Sequence, residues 1–182
     1  MKTEVAKLVT FRLGGDLFAA DIFDVERVLR YQAPTPLPDV PEWIEGMIEY
    51  QAQVVPVINL RKRFELPTLA PTNETRILVL TANGEWIGLV VDAVMEVSMV
   101  DPSQLSLPPA FFRGLSAEYL KGIVRPVSPV GEESGAASGG SERLVIVLDV
   151  EHLLSATDRI ALEAAGEGVS GADAGGGAKP NA

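Results

Sequence analysis

The side chains able to do acid, base, nucleophilic or metal chemistry are few in this chain and poorly spaced for it. His152 is the sole histidine and cysteine is absent. Thiol nucleophiles, disulfides and thiolate metal sites are thereby excluded, and a triad or a zinc site would have to be assembled around a single imidazole. His152 falls in the first turn of an expected terminal helix, where an exposed or cap-associated imidazole is the plain reading. Two carboxylate pairs have a spacing suited to acid-base work, Asp21 with Asp24 and Glu132 with Glu133. The first pair fits helix-start electrostatics, and the second lies in a Gly, Ser and Glu stretch that offers no rigid platform. Gly14-Gly15 is no phosphate cradle, because no Lys-Ser or Lys-Thr follows and the chain leads into a strand. The basic cluster Arg61-Lys62-Arg63 reads as the solvated end of a strand or a helical turn, or as a contact for an acidic partner surface. These residues point to a binding module rather than an enzyme, with no catalytic residue, metal or cofactor expected.

Composition narrows the partners. The chain has 182 residues, of which 47% are hydrophobic, enough for one domain of ordinary size or two small barrels sharing a core. A formal charge of −10 repels polyphosphate backbones and argues against nucleic acid. No apolar run approaches the roughly 18 residues of a membrane helix, and the N-terminus meets a strand pattern at once without a signal-peptide core. The expectation is a cytoplasmic protein with no direct membrane insertion.

The elements that must position any binding surface are mostly strands. Val9, Phe11 and Leu13 alternate with polar residues, and Gly14-Gly15-Asp16 turns the chain into Leu17-Phe18-Ala19, a first hairpin. Asp21 can cap a short helix with Ile22, Val25, Val28 and Leu29 on one face, although Val25 to Leu29 also fits a strand. Four prolines between Pro34 and Pro41 favour an extended linker. The segments Gly46 to Tyr50 and Gln53 to Ile58 form a second hairpin built for packing, with no nucleophile or ligand in it. A third spans Arg76 to Ala82 and Glu85 to Val91 around Asn83-Gly84, a dipeptide suited to a type I′ turn. Val94 to Val97, Tyr119 to Arg125 and Arg143 to Leu148 supply further strands, the last an apolar run buried on both faces. Asp149 then caps a terminal helix with Val150, Leu153, Leu154 and Ile160 along one side.

Several of these runs, taken in order, resemble the CheW-type chemotaxis coupling proteins. Phe18-Ala-Ala-Asp-Ile22 with Val25, Pro41-Glu-Trp-Ile-Glu-Gly46, Val54-Val-Pro-Val-Ile-Asn-Leu-Arg61 with Phe64, Ile87-Gly-Leu-Val-Val-Asp92 with Val94, Tyr119-Leu-Lys-Gly122, and Leu144-Val-Ile-Val-Leu-Asp149 with Leu153-Leu154 follow the family's sequence. The resemblance runs from about Lys7 to Leu162. It implies an all-β fold of two intertwined five-stranded SH3-like barrels with a short C-terminal helix and a disordered tail. The expected layout is one domain over 7–163, with the first barrel at roughly 14–70 and the second at roughly 74–150. A terminal helix over 150–165, a flexible loop over 128–142 and a disordered tail over 166–182 complete it.

The resemblance also implies a non-catalytic adaptor that joins the cytoplasmic tip of a methyl-accepting chemoreceptor to the regulatory domain of a CheA-type histidine kinase, recruited to membrane-associated receptor arrays. A divergent interaction protein that binds one partner only, as a localisation factor or competitor, is the alternative. Carried over by position, Ile22, Val25 and Gly46 match receptor-side or adjacent positions, and Thr75, Arg76 and Ile77 match a strand edge linked to the same face. Ile22, Val25 and Ile77 read equally as ordinary core. Two departures stand out. Gln51-Ala52 replaces an Arg-Gly pair at the turn of the signature hairpin, which predicts a different turn and a lost arginine contact. Arg27 stands where several relatives carry an acid, which reverses a charge at a partner contact.

Overall fold

A computed structural model of the chain describes residues 5–107, 117–125, 144–154, 158–159 and 162–164. Among the described residues ten strands make two five-stranded sheets. The strands are β1 (Ala6–Leu13), β2 (Asp16–Asp21), β3 (Val25–Arg30), β4 (Ile44–Tyr50), β5 (Gln53–Asn59), β6 (Arg76–Ala82), β7 (Glu85–Val91), β8 (Ala93–Val100), β9 (Leu120–Val124) and β10 (Val145–Leu148). One sheet has the order β3-β6-β7-β5-β4 and the other β8-β1-β2-β10-β9. The expected division of the chain near residues 70–74 is therefore corrected. The N-terminal hairpin leaves its sequence neighbours to complete the sheet built from the far end of the chain, whereas β6 and β7 stay with β3 to β5.

The two sheets repeat one topology. In each, a hairpin (β6–β7 or β1–β2) lies between an antiparallel edge strand and a strand paired in parallel, β5 with β7 and β10 with β2. In each, the chain leaving the edge strand curls round to bridge the opposite edge. Thr35 exchanges two 2.8 Å backbone bonds with Met47, and Ser106 does the same with Ile123 at 2.9 and 2.8 Å. The residue before each bridge is a glycine for one reason: a Cβ on Gly46 would lie 2.0 Å from the Thr35 carbonyl oxygen, and one on Gly122 would lie 2.8 Å from that of Ser106. The equivalence extends to single rungs. Val25 faces Leu80 where Val94 faces Phe11, and Val28 faces Leu78 where Val97 faces Val9.

The principal core lies where the sheets meet. Phe11, Leu13 and Phe18 from one sheet pack with Leu78, Leu80, Ile87 and Leu89 from the other. Leu148, Val150 and Leu153 close it, so at about 25 cal/mol per Å² of apolar surface the hydrophobic term holds two halves together rather than one half alone. Phe11, Phe18 and Phe64 stack in series, with centroids 6.1 and 5.7 Å apart.

Local structure departs from expectation at three places. Asp21 caps only a single 3-10 turn, Ile22–Asp24, accepting from Phe23 N–H at 3.0 Å, after which Val25–Arg30 is strand; both open readings are realised in succession. Asp149 makes no side-chain cap. It faces the His152 ring at 2.9 Å over a 3-10 turn, Val150–His152, and beyond Leu154 only residues 158–159 and 162–164 are described as helical. The turn is tight because Val150, Leu153 and Leu154 must all reach the core within five residues. The Pro-rich segment is not wholly unpaired, since Thr35 joins the sheet. The loop expected over 128–142, the tail over 166–182, and Glu132, Glu133 and Ile160 lie outside the described residues.

Candidate functional site

Six of the eight candidate residues lie on or next to the paired strands β3 and β6, but at opposite ends of that ladder. Ile22 sits in the 3-10 turn and Val25 and Arg27 on edge strand β3, opposite Leu80 and Val79 near the end of β6, whereas Thr75, Arg76 and Ile77 at the start of β6 lie by the far end of β3, where the rungs are Leu29 with Ile77 and Arg30 with Arg76. Gly46 and Gln51 are on β4 and its turn, at the opposite edge of that sheet. Exposure sorts them further. Arg27 and Gln51 are exposed, and Ile22, Val25 and Arg76 are half-buried. Ile77 is fully enclosed and Thr75 is buried, its hydroxyl accepting from Thr72 N–H at 2.8 Å. Gly46 is buried against Thr35. Ile77, Thr75 and Gly46 therefore shape the surface from below.

The turn at Gln51-Ala52 takes a left-handed backbone of the kind glycine favours. The rung Tyr50 with Gln53 leaves a two-residue loop, and both residues take positive φ, 49° and 60°. Gln51 donates to the Tyr50 hydroxyl at 2.9 Å, and Tyr50 packs on Trp86. The backbone shape that glycine would favour is kept at a steric cost, while the arginine charge is gone.

The basic cluster is not a solvated end. It forms a helical turn, α1 (Leu60–Arg63), in which Arg61 is buried at 8% exposure. Arg61 Nε and Nη2 donate to Asp92 at 2.8 and 2.5 Å, and Nη1 donates to the Pro67 carbonyl at 2.6 Å. Asp92 also accepts from Gly14 N–H at 2.8 Å, so the pair ties α1 to the turn of the other sheet's hairpin. Burial pushes the Asp92 carboxyl up, but the bonds from Arg61 and Gly14 outweigh it and hold it below its ordinary range; the same bond from Asp92 raises Arg61. Arg63 lies 4.0 Å over the ring of Trp43 and 4.8 Å over that of Tyr119, equivalent aromatics of the two halves whose carbonyls accept from Asn59 and Asp149 N–H at 2.8 Å.

At the other end, Asp24 meets Lys121 at 3.8 Å, and burial raises its pKa, opposed by Lys121 and reinforced by Asp21, Glu151 and Asp149. Asp21 thus acts as a cap and Asp24 as half of a surface pair with Lys121. Among the described residues no group of three His, Cys, Asp or Glu side chains could hold a metal. No described helix is long and apolar enough to cross a membrane.

The feature that sequence patterning missed is the outer row of β8. Met95, Val97 and Met99 alternate along this edge strand and are 53%, 52% and 62% exposed. Val28, the equivalent of Val97 on β3, is 40% exposed. Their period of two was visible, but nothing in it said which face was outward.

Two open-edged sheets around a shared core, with an exposed apolar row on β8 and the buried Arg61 paired with Asp92 within the fold, define a docking scaffold. The chain belongs to the CheW-like domain family, whose model matches residues 7–158. It is 31% identical over 159 residues to the chemotaxis protein CheW of Treponema pallidum (strain Nichols), covering 85% of each chain. To that of Klebsiella aerogenes it is 29% identical over 152 residues, covering 84% of this chain and 83% of the relative. The crystal structure of the scaffolding protein TtCheW from Thermoanaerobacter tengcongensis superposes with a TM-score of 0.72 at 28% identity, over 85% of this chain and 91% of that one. The role that these relatives share is that of a chemotaxis adaptor.

Proposed function

We propose that this chain couples the cytoplasmic tip of a chemoreceptor to the regulatory domain of a CheA-type histidine kinase and catalyses nothing itself, working in the cytoplasm at membrane-associated receptor arrays. The observation that carries this reading is the exposed row Met95, Val97 and Met99 on β8. A chemoreceptor tip is a helical hairpin, and an amphipathic helix laid on such a row buries its aliphatic stripe while the polar rim stays wet. Methionine is suited to this, since its flexible thioether adapts to the partner. Candidate residues Ile22, Val25, Arg27 and Arg76 then belong to a second contact region on β3 and β6, and Gln51 to a third at the β4–β5 turn.

The test is calorimetric titration against a receptor-tip fragment and, separately, against the kinase regulatory domain of the same genome. Binding to both at micromolar strength is expected. Val97→Asp should weaken receptor-tip binding at least about tenfold, as for loss of a central apolar contact, and leave kinase-domain binding within about twofold. Binding to one partner only would make the chain a single-partner adaptor, and Gln51→Arg would then be expected to restore the missing one.

A further inference from the structure

Among the described residues, the most accessible sulfur lies on edge strand β8. Cysteine is absent and methionine occurs four times, so thioethers are the only sulfur atoms that an oxidant can meet. Met95 and Met99 are 53% and 62% exposed, whereas Met47 is half-buried, with its backbone bridged to Thr35, and lines a cleft with Trp86 and Leu162. The strand beneath the exposed pair is fixed. Ala93 and Val100 are buried at its two ends. The Thr10 hydroxyl donates to the Glu96 carbonyl at 2.7 Å and accepts from Glu96 N–H at 3.3 Å, pinning the irregularity in the β1–β8 register beside Met95. A change at either thioether therefore alters the surface and leaves the sheet in place.

We propose that Met95 and Met99 are a reversible modification site, at which a hydroperoxide converts the thioethers to sulfoxides and so closes β8 to an apolar helix. The step moves two electrons. The O–O bond of the peroxide breaks as an S–O bond forms, the sulfur is oxidised, and the second oxygen of hydrogen peroxide leaves as water with both protons. A thiol-dependent sulfoxide reductase reverses it, releasing the oxygen as water while two thiols become a disulfide. A sulfoxide is a strong acceptor, and the aliphatic stripe of a docked helix offers it no donor, so burying it is opposed. Val97 lies two residues from each methionine and shares its face with Met99, so the patch loses its apolar flanks around a central valine. The twin strand shows the end point. Its equivalent positions on β3 are Glu26, Val28 and Arg30, all exposed, a valine between two polar side chains. Oxidised β8 takes that same pattern, and the chemical difference between the two platforms narrows. This control rests on β8 being the receptor-tip contact, and it makes that contact one that an oxidant switches off.

The experiment treats the full chain with hydrogen peroxide, follows each methionine by peptide mass spectrometry, and titrates the oxidised protein against a receptor-tip fragment. Met95 and Met99 should gain oxygen several-fold faster than Met47. The oxidised chain should keep the circular dichroism of the parent and bind the tip at least about tenfold more weakly. Both methionine sulfoxide reductases, one for each sulfoxide epimer, with dithiothreitol as reductant, should restore binding. In the Met95→Leu, Met99→Leu double variant, measured against its own untreated binding, peroxide should change affinity by less than about twofold. Oxidation of Met47 as fast as the β8 pair, unchanged affinity after oxidation, a loss that persists in the double variant, or a loss that the reductases do not restore would each overturn the proposal. An untreated chain that fails to bind the tip would instead count against receptor coupling, and the order of oxidation would then decide the modification site alone.

Discussion

At Arg61 and Asp92 two charges leave water together, and each is tolerated because the other is present. Asp92→Asn leaves the buried guanidinium short of a counter-charge and should cost about 2 kcal/mol in urea unfolding at neutral pH, less than a fully buried pair because Asp92 keeps some solvent contact. The pH dependence has a definite sign. The folded Asp92 has a lowered pKa, so its contribution is complete above the ordinary carboxylate range and disappears as pH falls through the lower folded value. The gap between wild type and Asp92→Asn should therefore narrow as pH falls below about 4; a gap as wide at about pH 2 as at neutral pH would mean the substitution acts through packing instead. Ala52 offers the opposite case. With φ at 60° its Cβ is crowded, and Ala52→Gly should raise stability by about 1 kcal/mol, seen as a rise of about 3 °C in thermal midpoint. No rise would indicate that Gly's extra freedom in the unfolded chain cancels the relief.

Elements with a self-contained signal were legible in the sequence, and those defined by distant partners were not. Asn83-Gly84 announced its hairpin because turn chemistry is local, and both residues take positive φ as a type I′ turn requires. The buried run Val145–Leu148 was visible from its unbroken apolar character. Which sheet the first hairpin joins was not, because β1 carries the same alternation whether it faces β8 or β3. The ion pair was equally hidden: Arg61 lies in a basic run and only the fold brings Asp92 to it. Burial of Ile77 and exposure of Met95 are likewise tertiary facts. The bridging glycines give an element-scale prediction. Gly46→Ala, at φ 141° and with a Cβ driven into the Thr35 carbonyl, should cost about 3 kcal/mol or more. Gly122→Ala, against the more yielding Leu105 and the Ser106 carbonyl, should cost about 2 kcal/mol. Chemical denaturation of both variants tests the order, and equal costs would show that the first edge can relax.

For the whole molecule, duplication with exchange of hairpins supplies two similar platforms that differ in their outer chemistry: Met95, Val97 and Met99 on β8 stand where β3 presents Glu26, Val28 and Arg30. One architecture thus serves two unlike contacts, which suits an adaptor better than two unrelated domains would, because the shared core fixes the angle between them. The same exchange sets a timetable. Strands β3 to β7 can pair as soon as residue 91 has been made, but β1 waits for β8 and β2 for β10. At roughly 5–20 residues per second, the β1–β2 hairpin waits several seconds for its place. Refolding should show the same order by pulsed hydrogen exchange, with amides of β6 and β7 protected before those of β10, and simultaneous protection would mean that the two halves fold only as one. The β1–β2 hairpin is thus made well before its sheet is complete, and its apolar face is one that a chaperone has time to meet.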